Sequence, residues 1–110
     1  MTDESLYHLA IRGDWDADPT KPYSTSTLGR TLDEEGFIHC SFRTQVRQTA
    51  ARFYAGRDDV VVLTIDPARV DAPIRVENLD HGDERFPHIY GPLPRDAVVA
   101  VTPLASFDGA

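Results

Sequence analysis

The stretch Val60-Val61-Val62-Leu63-Thr64-Ile65 most limits what this chain can become. Branching at Cβ restricts χ1 and suits the pleated geometry of a strand. Apolar residues fall on both parities, so both faces need cover and the strand runs through the middle of the fold. The chain has 110 residues, enough for one domain around one core. The expected division is a single domain over 1–110, with an ordered core over 5–105 and a fraying tail over 106–110.

The rest of the chain supplies the cover in short pieces. Residues Leu6 to Ile11 read as a first strand, with Tyr7, Leu9 and Ile11 on one face and Leu6, His8 and Ala10 on the other. Gly13 to Thr27 is rich in turn formers and reads as a short helix around Trp15 followed by an irregular loop. Gly36 to Ser41 reads as a second strand. Phe37, His39 and Ser41 share one face; Ile38 and Cys40 share the other. Arg43 to Ala55 carries Val46, Ala50, Phe53 and Tyr54 at helical spacing, an amphipathic helix that Ser41 can cap and Gly56 can end. Ile74 to Glu77 and Phe86 to Tyr90 are short extended pieces, and Ala97 to Val101 reads as a last buried strand. Gly91-Pro92-Leu93-Pro94 is a turn that no helix crosses. About six strands with two or three helices in mixed order imply a small α+β domain.

Charge narrows the partners. Acidic residues number 18 and basic ones 11, for a net charge of −7. That balance argues against nucleic acid, which is held by clustered Lys and Arg, and against an anionic membrane surface. No apolar run approaches a transmembrane span of about 20 residues. The acidic start lacks the basic and apolar regions of a signal peptide. The lone Cys40 excludes an internal disulfide and fits a reducing compartment, so the expectation is a cytoplasmic protein, monomer or homodimer.

Chemistry, if present, centres on histidine. His8, His39 and His88 stand on short strands, and imidazole is both donor and acceptor and titrates near neutrality. His88 shares a face with Tyr90, and His39 with Ser41. His81 falls in a polar turn and is assigned to the surface. Taken singly, each strand histidine is better explained by a hydrogen-bonded place in the core. No metal site is expected: His39 and Cys40 are adjacent and point oppositely, and no pair has zinc-motif spacing. Cys40 lies with Ile38 and reads as a core residue rather than a nucleophile. No serine elbow and no glycine-rich phosphate loop occurs. The acidic run Asp33-Glu34-Glu35 reads as a solvated face. Glu77 is the single carboxylate best placed to point into a cleft. Trp15 and Tyr23 offer ring faces, with a place as core anchors the simpler reading.

Several of these pieces together resemble the domain of unknown function 952 family of small bacterial proteins: Leu6-Tyr7-His8-Leu9, Trp15, Gly36-Phe37-Ile38-His39-Cys40-Ser41, Gln45, Phe53-Tyr54, Leu63-Thr64-Ile65-Asp66, Glu77 and Phe86-Pro87-His88-Ile89-Tyr90-Gly91-Pro92-Leu93. The resemblance implies a fold similar to that of ADP-ribosyltransferases, a split, curved sheet with a cleft between its halves. It implies NAD as substrate rather than as a resident cofactor. His8 matches a ribose-contacting role, and His39 with Ser41 matches a residue set that shapes the nicotinamide pocket. The Phe86 to Leu93 segment offers His88 and Tyr90 where that superfamily often has Glu.

The resulting expectation is an NAD-utilising enzyme of glycosyl or ADP-ribosyl transfer, or a degenerate relative. His8, His39 and His88 are its catalytic residues. Ser41, Tyr90, Trp15 and Arg43 bind the cofactor-like ligand. The alternatives are a non-catalytic module that binds a nucleotide or another small ligand in the same cleft, and a structural or interaction domain.

Overall fold

The Val60–Ile65 run forms β3, and its position explains its composition. It is the central strand of a three-stranded antiparallel sheet, between β1 (Leu6–Ile11) and β6 (Val98–Pro103). Val61, Leu63 and Ile65 enter one apolar cluster with Leu6 and Ala10, while Val60 and Val62 enter a second with Tyr7 and Leu9. Both faces are therefore covered. Each fully buried side chain of this kind contributes about 1.5–3 kcal/mol relative to an exposed one. The computed structural model describes residues 4–27, 30–78, 82 and 84–107.

A second three-stranded antiparallel sheet places β5 (Phe86–Ile89) between β2 (Ile38–His39) and β4 (Ile74–Glu77). One backbone rung joins the two sheets. The Tyr7 amide donates to the Ser41 carbonyl at 2.9 Å, and the Ser41 amide donates back at 2.7 Å. The strands thus run β6-β3-β1 and then β2-β5-β4, with β1 and β2 parting beyond that rung.

Among the described residues, three α-helices pack around this frame. α1 (Arg12–Asp16) holds Trp15. α3 (Val46–Phe53) buries Val46, Thr49 and Ala50, and a 3-10 turn over Arg43–Gln45 leads into it. α2 (Leu32–Glu35) occupies the acidic run expected to be only a solvated face. Thr31 Oγ1 accepts from the Glu34 amide, and Glu34 Oε1 accepts from the Thr31 amide at 2.9 Å. This reciprocal box satisfies two end donors of the turn. Gly36, at φ 90°, closes it in a conformation that favours glycine.

The structure corrects two further expectations. Ser41 does not cap α3; its hydroxyl meets Thr49 Oγ1 at 3.1 Å, and buried Gln45 accepts the Phe42 amide at 2.9 Å instead. β6 is not buried: Val99 is 56% and Val101 42% exposed, because β6 is an edge strand. Near the end of the described chain, Ser106 ends a 3-10 turn. Phe107 is buried there, under Arg43 and with its carbonyl bonded by Arg47 at 2.7 Å. Residues 108–110 and His81 lie outside the described residues. No described helix is long and apolar enough to cross a membrane.

Candidate functional site

Alternation along the second sheet separates core from cavity. Ile38, Pro87 and Ile89 point inward and are buried. Their neighbours point the other way. Phe37 and His39 on one side, Phe86, His88 and Tyr90 in the middle, and Arg75 and Glu77 on the far strand share one face by parity and register. His39 and His88 are direct cross-strand partners. Glu77 pairs with Phe86 and so lies diagonally from His88, within reach of a long side chain.

A hydrogen-bonded chain runs across this face. Glu77 Oε2 accepts from His88 Nδ1 at 2.9 Å and from the Tyr90 hydroxyl. His88 Nε2 faces His39 Nδ1 at 3.3 Å. A carboxylate only accepts, so the neutral His88 ring carries its proton on Nδ1. Its Nε2 then accepts from His39 Nδ1–H. The donations from Tyr90 and His88 hold the Glu77 carboxyl below its ordinary range. Desolvation, reinforced by the bond to Glu77, raises the Tyr90 hydroxyl. Phe37 stacks on His88 with centroids 4.1 Å apart and planes at 22°, which fixes the imidazole plane.

The face opens onto a cavity of about 360 Å³. Phe37, His39, Phe86, His88 and Glu77 form its sheet wall, and Arg52 and Phe53 close it from α3. Thr27, Arg30 and Glu35 form its rim. The rim is internally paired: Arg30 meets Glu35 at 3.2 Å, and Thr27 donates to Glu35 at 3.3 Å. The volume lies in the range of small-molecule sites, and three phenylalanines with a few convergent polar groups are their usual lining.

His8 stands apart from that wall. Its Nδ1 donates to the His39 carbonyl at 2.6 Å, and its Nε2 accepts from the Tyr23 hydroxyl at 3.1 Å. Burial pushes its pKa down to about 4, so the ring is neutral at pH 7. It joins β1 to β2 where the two sheets part. With Ser41 and Thr49 it borders a cleft of about 10 Å³ behind His39, room for about one water molecule.

Of the residues singled out in the sequence, His39, His88 and Tyr90 are brought together, and Glu77 joins them. Ser41 sits behind His39, bonded to Thr49. Trp15 lies elsewhere, 5.7 Å from Tyr23 and under the Arg95 guanidinium at 4.3 Å. Arg43 also lies elsewhere; it covers the Phe107 ring at 5.1 Å and donates to the Tyr7 hydroxyl at 3.2 Å. Cys40 is buried, and burial pushes its thiol well up, as befits an inert core residue. Sequence reasoning missed the helix residues Glu35, Arg52 and Phe53 as cavity walls. Parity along the second strand could have added Phe37 to His39. Among the described residues no three His, Cys, Asp or Glu side chains are grouped as metal ligands.

The model of a family described as protein of unknown function (DUF952) matches residues 10–101. The chain is similar to protein CC0527 from Caulobacter crescentus. The crystal structure of that protein has 28% identity and a TM-score of 0.76, over 90% of this chain and 84% of that one. Its solution NMR structure has 29% identity and a TM-score of 0.66, over 91% and 84%. No curated protein matches the chain.

Proposed function

The chain belongs to the DUF952 family of proteins of unknown function, and from that premise we propose that it acts on NAD, transferring the ADP-ribosyl group with an ADP-ribosyltransferase-like split sheet. The observation that carries the reading is the Glu77–His88–His39 chain in the wall of a ligand-sized cavity. Cleavage of a nicotinamide–ribose bond passes through an oxocarbenium-like state, by analogy with glycoside chemistry. A carboxylate held ionised beside that centre stabilises the developing positive charge. Glu77 has this character, and among the described residues its two side-chain bonds both fall on Oε2. Oε1 is then the oxygen that orients a ribose hydroxyl.

The bond from ribose C1′ to the ring nitrogen breaks, and its electron pair returns to the nicotinamide ring. A hydroxyl acceptor, water in the simplest case, bonds to C1′. The proton that the acceptor loses passes to the Glu77–His88 pair. Tyr90, His39 and Phe37 position that pair. His8 acts through the β2 backbone rather than on the ligand. NAD is substrate here, and the reading assigns no resident cofactor.

Calorimetric titration tests this reading. ADP-ribose should bind saturably to the wild type and weaken on Phe37→Ala or His88→Ala. A second reading, a binding module without turnover, is favoured by one observation: Oε2 of Glu77 already takes two donors, which leaves Oε1 alone for a ligand. ADP-ribose binding with no nicotinamide release from NAD would select it.

A further inference from the structure

We propose that the cavity selects a flat organic cation, seated among Phe37, Phe53 and Phe86 with its charge against Glu77. The inference rests on the cavity being the ligand site, and it is independent of which bond is cleaved.

Aromatic faces carry negative potential and attract cations, and aromatic-lined pockets are the usual receptors of quaternary ammonium groups. Rings of this protein already serve that way. Arg52 lies 5.0 Å from the Phe53 centroid and Arg75 lies 5.1 Å from that of Tyr90. The three phenylalanines are contributed by separate segments: β5, the residue before β2, and the end of α3. They surround the ligand space from more than one side. Glu77 supplies the fixed charge. It is held by donors from Tyr90 and His88, so it cannot turn away to solvent without breaking both bonds. No guanidinium among the described residues is in ion-pair contact with it, although the charge of Arg75 is felt there, whereas Glu35 is paired with Arg30 across the rim. The net charge of −7 adds a field that draws cations toward the molecule.

Arg52 opposes the inference, being a cation on the same lining. Its guanidinium belongs to α3 and lies against the Phe53 ring, whereas Glu77 lies on the sheet wall. The charged ring belongs beside Glu77.

Three nearly isosteric probes separate the charge states: 1-methylnicotinamide as cation, nicotinamide as neutral ring and nicotinate as anion. Calorimetry at pH 7 on the full chain should rank them in that order, with about tenfold between cation and neutral ring. Glu77→Gln should remove the preference while circular dichroism shows the fold intact, and Arg52→Gln should strengthen cation binding. Equal affinities, tighter binding of nicotinamide or nicotinate, or no binding of any probe at millimolar concentration would overturn the inference. If NAD is not cleaved but the cation preference stands, the reaction proposed above fails and the ligand class survives.

Discussion

His8 and His39 are joined by a 2.6 Å hydrogen bond from imidazole Nδ1 to backbone carbonyl, across the place where the two sheets separate. The bond makes a buried, neutral side chain on β1 responsible for the position of the β2 residue that lines the cavity. Its consequence appears in pH rather than in ligand contact. The folded pKa of His8 is near 4, against an ordinary 6.5. Above 6.5 both folded and unfolded states are neutral, and the stability is complete. Between 6.5 and 4 the unfolded chain takes up a proton that the folded chain refuses, so stability falls, levelling below 4. The loss amounts to about 3 kcal/mol. Urea midpoints at pH 7, 6, 5 and 4 should show the decline, and His8→Gln should flatten it between about 6.5 and 5.5, above the range where ordinary carboxylates titrate. An unchanged slope in the variant would assign the decline to other groups.

Tyr90 holds Glu77 ionised. Removing the hydroxyl by Tyr90→Phe should raise the Glu77 pKa toward the ordinary carboxylate value, because the lost donor stabilised the charged form. Carboxyl carbon shifts followed through an acid titration would report it. The sign also governs ligand attraction: it is complete well above the Glu77 pKa and fades as pH falls through it. A Glu77 titration indifferent to Tyr90→Phe would mean that the bond does not persist in solution.

The tautomer of His88 follows from the same chain. Nitrogen-15 spectra of the wild type near pH 8 should show the proton on Nδ1 and a lone pair on Nε2. A His88 ring protonated mainly on Nε2 would reverse the direction of the chain.

Gly91 lies in the turn after β5, and an added Cβ would approach the Ala72 Cβ to 2.6 Å. Gly91→Ala should therefore destabilise by about 1–3 kcal/mol through overpacking. The double variant with Ala72→Gly should recover most of the loss. Thermal melts of the three proteins decide it, and a single variant as stable as wild type would show that the turn yields freely.

Much of this was legible in the residues. The double-faced β3, the amphipathic α3, the buried Cys40 and the shared face of His88 and Tyr90 follow from periodicity, and Glu77 stands out by its place at the end of an extended piece. What escaped is what periodicity does not encode. His8 falls on the face of Leu6 and Ala10, but both faces of β1 are covered, so alternation does not distinguish cleft from core there. Val98 to Val101 has a buried strand's composition, yet an edge position leaves Val99 and Val101 exposed. α2 was signalled only by the spacing of Thr31 and Glu34, easily masked by the charge around it. Trp15 and Arg43 have the chemistry to bind ligands, and tertiary contacts give them other work.

The most direct test of the central claim is nicotinamide release from NAD at pH 7 by the wild type and by Glu77→Gln. Glutamine keeps the size of the side chain and removes its charge. The account predicts steady release by the wild type and a loss of about 100-fold or more in the variant, with both proteins equally folded. Equal rates in the two proteins, or no release by the wild type, would contradict it.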